Sequence, residues 1–351
     1  MIGGGLCRRQ SHCKGFVMKL IELFNFRKEE VLTPGGERQA VVALGGGGAR
    51  GLAHLGALEL IGEFGIRTER IVGVSIGSLV GALFAVDPDI YRVQAKAIEL
   101  LYSPIFLERS GLLAGPAARL SERDGLPSQS GFSENWCGSW YKRLKRTVAN
   151  SRRLRRALTG PSLMRDNLLR ETIDHLLPDI DIADTEIPLS IVAADLHSGH
   201  RVVLERGSLR EAVKASTSIP GFFPPVPWGD GMLVDIGVLD SLPTTVARAH
   251  SSQLVIGVDV GSDHTPIEEC GTTIEVMMRM DEIAERMIRR QKMELADIVI
   301  RPDVGKRMWF DFSRPEQLIE EGRIAGRRDL MALGPNNYAE GVQAWPTGRW
   351  R

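Results

Sequence analysis

The sequence predicts an α/β domain built in layers around a mainly parallel central sheet. Short β-branched apolar runs at 41–44, 71–74, 188–194, 254–258 and 298–300 alternate with stretches of helical periodicity. Several of these runs end in glycine, serine or aspartate, which places polar groups at strand ends, where α/β sheets bind ligands.

Taken in order, residues 1–38 read as an N-terminal extension. Arg8, Arg9 and Lys14 precede an apolar stretch that Lys19 interrupts before it reaches signal-peptide length. Phe16, Val17, Leu20, Ile21 and Phe24 recur at helical spacing, so a short amphipathic helix is expected, lying on a membrane surface or against its own domain. The main domain is expected over 39–333, with a flexible tail over 334–351.

The strand at 41–44 runs into Gly45-Gly46-Gly47-Gly48-Ala49-Arg50-Gly51 and then into the helical pattern Leu52, Leu55, Leu58, Ile61. Gly46-x-Gly48-x-x-Gly51 also fits a dinucleotide fingerprint. The acid expected about twenty residues on is missing, because Arg67-Thr68-Glu69-Arg70 reads as preceding the next strand instead of ending it. No Gly-Lys-Ser/Thr follows, which speaks against a P-loop more strongly still. Side-chain-free residues at a strand end do supply a concave row of N–H groups that can hold an oxyanion. Arg50 is expected to brace that loop.

At 71–78, Ile-Val-Gly-Val-Ser-Ile-Gly-Ser puts Ser75 on a sharp strand-to-helix turn between Gly73 and Gly77. A side chain at either glycine would crowd the turn, and the helix start directs N–H groups at the serine. The window 71–86 is the most apolar, yet too short to span a bilayer. From 89 to about 178 the chain becomes polar and helical, with patterns at 90–107, 140–158 and 163–177, and reads as a helical insertion or lid. Residues 142–156 carry eight Lys or Arg and no acid, a solvated face or a contact for anionic lipid, and Trp136 and Trp140 favour the interface.

Beyond 188, Asp195 ends a strand before Gly199-His200, a hairpin turn in which a carboxylate would bond loop amides. Ser208 caps a helix through 216, and 220–227 forms a rigid, proline-rich apolar wall. Val234-Asp235-Ile236-Gly237 places a carboxylate at the end of an apolar run. A serine hydroxyl needs such a neighbouring base to act as a nucleophile, and Asp235 can supply it.

Together, Gly46-Gly47-Gly48-Ala49-Arg50-Gly51, Gly73-Val74-Ser75-Ile76-Gly77 and Asp235-Ile236-Gly237, with the stretches 195–199 and 215–225, resemble the patatin-like phospholipase family in its bacterial and neuropathy-target-esterase-like branches. The likeness covers about 41–300. It implies a three-layer patatin-like fold and a serine acyl hydrolase acting on phospholipid or other lipid esters. In that reading Ser75 is the nucleophile and Asp235 the base, Gly46, Gly47 and Gly48 form the oxyanion hole, and Arg50, Gly51, Gly73, Gly77 and Gly237 support them. No metal or cofactor is implied. The family pattern has glycine where Ile236 stands. A β-branched residue at positive φ would be strained, so a reshaped turn is expected there.

Two other readings stand beside this one. His250 or His264 would complete a Ser-Asp-His triad. Alternatively the fold is kept as a lipid-binding or regulatory scaffold without turnover. Zero net charge over 351 residues supplies no global field for nucleic acid, so none is expected as a partner. Four scattered cysteines suit a reducing compartment, so a cytoplasmic protein with peripheral membrane contact through 142–156 is expected.

Overall fold

The computed structural model describes residues 38–103, 106, 162, 166–251, 254–262, 273–305, 307 and 309–332. The expected extension 1–38, apart from residue 38 itself, and the tail 334–351 lie outside these residues, as do the basic run 142–156, Trp136, Trp140, His264 and all four cysteines.

The described strands are β1 (Arg38–Leu44), β2 (Ile66–Val74), β3 (Leu189–Asp195), β4 (Arg201–Leu204), β5 (Val226–Trp228), β6 (Gly231–Val234), β7 (Leu254–Val258) and β8 (Ile298–Ile300). They form one sheet in the order β5-β6-β3-β2-β1-β7-β8, with β4 paired to β3. The pairs β3–β2, β2–β1, β1–β7 and β7–β8 are parallel, whereas β4, β5 and β6 add antiparallel pairings. The described helices are α1 (Ala53–Glu63), α2 (Ile76–Val86), α3 (Ile90–Leu101), α4 (Asn167–Leu176), α5 (Leu209–Thr217), α6 (Thr244–His250), α7 (Thr273–Met293) and α8 (Pro315–Met331).

Period-2 alternation divides β1 between two apolar layers. Ala40, Val42 and Leu44 join the larger core with α1, α2 and α8, while Val41 and Ala43 join a smaller one with Val246 and Ala247 of α6. Every residue of β1 from Ala40 onward is fully buried, as a central parallel strand with both faces covered requires.

Two local readings shift. β2 begins at Ile66, so Arg67 to Arg70 lie within the strand; their alternating exposure shows that only its second half is buried on both faces. Val93, Ala97 and Leu101 of α3, with Ile173 and Leu176 of α4, belong to the main core, so both described ends of the expected insertion are structural.

Helices α1 and α8 touch backbone to backbone. A Cβ on Gly56 would lie 1.9 Å from the Ile319 carbonyl oxygen, and one on Gly322 would lie 2.0 Å from that of Ala53. Gly322→Ala must push the helices apart. It is expected to destabilise the fold by about 1–3 kcal/mol, read as a lowered Tm in thermal denaturation.

Candidate active site

Sheet register brings the two key strand ends together. Val74 at the end of β2 opposes Val192 of β3, and Val234 at the end of β6 opposes Ala194 of β3. Because β4 pairs along the other edge of β3, at Val192 and Ala194 alike, β2 and β6 share one edge. One runs parallel and the other antiparallel to β3, so their C-terminal ends meet head to head beside Ala193. Ser75 and Asp235 are the next residues along each chain.

Ser75 occupies the turn at φ 53° and ψ −127°. Among the described residues, Arg314 is the only other non-glycine with positive φ, so the serine sits in backbone that costs energy to hold. Its N–H donates to Ser216 Oγ at 3.0 Å, the Ser216 hydroxyl donates to the Val192 carbonyl at 2.7 Å, and the Ser75 carbonyl accepts from Ser78 Oγ at 2.6 Å. A Cβ on Gly73 would fall 2.6 Å from the Gly77 carbonyl, and one on Gly77 would fall 2.2 Å from that of Leu44, so both glycines are steric necessities. Gly51 makes room for the Ile76 side chain in the same way.

Asp235 is 7% exposed. Its Oδ1 accepts the Gly237 N–H at 2.7 Å, and its own N–H donates to the Ser218 carbonyl at 2.9 Å. Burial raises the carboxyl pKa to about 6 against the pull of the Ser75 hydroxyl and the Gly237 amide, both of which favour the ionised form. At Ile236 the strain that a positive φ would impose is absent. Ile236 has no positive φ, and its 6%-exposed side chain packs in the smaller core.

The glycine loop is pinned at several points. Gly45 N–H donates to the Val258 carbonyl at 3.1 Å, and Ala49 N–H donates to that of Trp309 at 2.6 Å. Arg50 Nε donates to the Gly47 carbonyl at 2.9 Å, the bracing role read from sequence. Gly46 requires a correction: its N–H donates to the Ser241 carbonyl at 2.8 Å and is therefore not free to meet an oxyanion. It serves instead by close approach, since a Cβ there would lie 3.3 Å from that of Ser75. Among the described residues no acceptor takes the N–H of Gly47 or Gly48. Gly48 has φ 60°, and a Cβ on it would strike the Trp309 carbonyl at 2.1 Å.

Sequence reasoning missed His54, Ser216 and Trp309. The buried His54 sits on the first turn of α1, and its Nε2 lies 2.8 Å from the Gly45 carbonyl. A carbonyl can only accept, so Nε2 carries the proton. Burial lowers the imidazole pKa to about 4, which keeps it neutral. Its place three residues after the glycine-rich run was the available signal. Ser216 lies in the stretch 215–225 that carries the resemblance, without a role of its own assigned there, and Trp309 carried no signal, because both act through contacts across the fold.

His250 pairs with Glu205 at 3.2 Å, and Glu205 also binds Arg70 and Ser190, well before the strand ends. It does not join Ser75 and Asp235. Asp195 does what its turn suggested, accepting from the Ser198 hydroxyl and from the amides of Met232, His197 and Ser198, which hold its carboxyl well below the ordinary range. Among the described residues, no three His, Cys, Asp or Glu side chains converge in a possible metal site.

An apolar cavity of about 150 Å³ reaches Ser75 and Gly48. Leu55, Leu79, Leu83 and Leu101 line it together with Phe106 and Phe223. Phe223 belongs to the proline-rich wall, whose Phe222 packs edge-on against Trp309 at 5.5 Å.

A strained serine elbow beside a glycine loop, on an α/β sheet with an apolar cavity, defines a class of esterase-like fold. The chain belongs to the patatin-like phospholipase family, whose model matches residues 42–248. An uncharacterized NTE family protein of Mycobacterium tuberculosis is 26% identical over 84% of this chain and 47% of its own length. The lysophospholipase NTE1 of Saccharomyces cerevisiae is 25% identical over 83% of this chain and 16% of its own length. This chain therefore spans about half of the first relative and a smaller part of the second. The crystal structure of VipD from Legionella pneumophila aligns over 87% of this chain and 68% of its own, with 16% identity and a TM-score of 0.41. No described helix is long and apolar enough to cross a membrane.

The buried carboxyl has a stability signature. Its folded pKa lies above the ordinary 3.8, so folding is favoured while the group is protonated, and that advantage is lost as pH rises through about 6. Asp235→Asn removes the cost of the buried charge. It is expected to stabilise the protein by about 1–3 kcal/mol near neutral pH, with the gain shrinking towards pH ~4, measured by denaturant unfolding across that range.

Proposed function

We propose that the protein is a serine acyl hydrolase of lipid esters, of phospholipase A or lysophospholipase type, working through a Ser75–Asp235 dyad. The observation that carries this reading is the head-to-head meeting of β2 and β6, which sets a buried carboxylate of raised pKa beside a serine on a strained elbow. Asp235 takes the Ser75 proton as Oγ attacks the acyl carbonyl, then passes it to the departing alcohol. Water attacks the acyl-enzyme with Asp235 again as base, and Ser75 Oγ leaves with the proton returned to it. A carboxyl poised at about 6 is a better base at neutral pH than an ordinary aspartate, because its affinity for the proton is closer to what the transfer needs.

The tetrahedral oxyanion is held by the N–H groups of Gly47 and Gly48, with the N-terminal dipole of α2 adding positive potential. The apolar cavity takes the acyl chain, since leucine and phenylalanine side chains dominate its lining. Lipid ester is the substrate class that this pairing of polar loop and apolar chamber favours.

Active-site titration tests the reading. A fluorophosphonate is expected to form one adduct on Ser75 and none on Ser75→Ala, and a wild-type protein that takes no label sinks the proposal. Asp235→Asn is expected to lower kcat about 10²- to 10⁴-fold on a 4-nitrophenyl ester. With the wild type, kcat/KM should climb about tenfold per pH unit below about 6 and level off above it, as the base loses its proton. A profile flat across that range would remove Asp235 as base.

A further inference from the structure

We infer that Arg289 of α7, far outside the segment matched by the family model, is a positioning residue that keeps the Gly48 amide turned for oxyanion binding, acting through Ser262 and Arg50. The inference rests on the hydrolase reading above.

The orientation of that amide is decided one atom away. In a planar trans peptide the N–H points opposite to the C=O of the preceding residue. The Gly48 N–H therefore points away from wherever the Gly47 carbonyl is held, and Arg50 Nε holds that carbonyl at 2.9 Å. Glycine on both sides makes this peptide unit cheap to rotate, so the guanidinium grip is what selects one orientation. Gly48 and Ser75 line the same cavity, which places this peptide where a developing oxyanion would stand.

Arg50 is in turn held from α7. Its Nη1 donates to Ser262 Oγ, and the Ser262 carbonyl accepts Arg289 Nη2 at 3.0 Å. Arg289 is 2% exposed and also grips Asp259, with Nη1 lying 3.0 and 3.1 Å from the two carboxylate oxygens. Gly261 leaves the space for this grip, since a Cβ there would overlap the Arg289 guanidinium. The segment 258–262 is thus shaped by Arg289, and the glycine loop lies along it. Gly45 bonds to Val258, Gly47 faces Val260 with room for no Cβ, and Arg50 reaches Ser262.

The circuit closes on the other flank. Arg289 Nε is 3.1 Å from Glu285 Oε1, which accepts the Ser241 hydroxyl at 2.6 Å, and the Ser241 carbonyl receives the Gly46 N–H. One buried arginine on α7 therefore contacts the anchors on both sides of the Gly47 and Gly48 amides, which no described acceptor takes. The part-buried pairing around Arg323 lies away from the glycine loop. Arg323 binds Glu59, Gln94 and Glu320 between α1, α3 and α8.

The test compares Arg289→Met, Ser262→Ala and Arg323→Met with the wild type. The measurements are kcat and KM on 4-nitrophenyl butyrate and the rate of fluorophosphonate labelling, each taken at a fixed interval below the variant's own Tm. Arg289→Met and Ser262→Ala are expected to lower kcat and the labelling rate about tenfold or more, short of the 10²- to 10³-fold loss of a whole oxyanion donor, with KM within about twofold. Arg323→Met should leave both rates within about twofold. Should the two loop-linked variants merely track Arg323→Met, or lose activity through KM alone, the inference falls while the hydrolase reading stands. A wild type that takes no label on Ser75 overturns both. If Arg289→Met fails to fold, Ser262→Ala decides, because it deletes one hydroxyl at a half-buried position.

Discussion

The site depends on one meeting point, where two strands run toward each other along a single edge of β3 and stop either side of Ala193. A purely parallel sheet could not produce it, because successive strand ends would sit side by side at one level instead of facing. The antiparallel excursion through β4, β5 and β6 turns the chain around so that Asp235 arrives from the opposite direction. Asp195 helps fix this arrangement by binding the Met232 amide of β6 from the end of β3.

That meeting is costly, and the surroundings offset the cost. Ser75 is held at positive φ because Ser216 and Ser78 secure its backbone from two directions. Asp235 is buried with one backbone amide as a firm partner, so desolvation outweighs hydrogen bonding and its pKa rises. Strain at the serine and desolvation at the aspartate each raise the energy of the folded protein at neutral pH, and in the proposed mechanism each serves reactivity. The core on either face of β1 supplies the stability against which such costs are set.

Gly46, Gly47 and Gly48 are adjacent in sequence and differ in what they do. Gly46 spends its amide on Ser241 and brings the backbone close to Ser75; Gly47 lies beside Val260 with an amide that no described acceptor takes; Gly48 adopts a left-handed conformation under Trp309. Identical residues acquire distinct roles because each meets a different part of the fold. The same holds for the two histidines described on helices α1 and α6, one a buried anchor of the loop and one paired with Glu205.

Legibility follows the range of the interactions. The parallel strands, the elbow, the glycine loop, the Asp195 turn and the Ser208 cap were readable because each is governed by neighbours within a few residues, where glycine, serine and aspartate have sterically defined uses. The core role of α3 and α4, the early start of β2 and the easy fit of Ile236 were not, since burial and backbone geometry there are set by distant partners. What the sequence determined by itself was the list of chemical groups and the strand ends that carry them. Which amides stay free, how high the Asp235 pKa climbs and whether two strand ends 160 residues apart face one another were decided by the tertiary structure alone. Hydrogen-bond competition, desolvation and sheet register exist only once the chain has closed on itself.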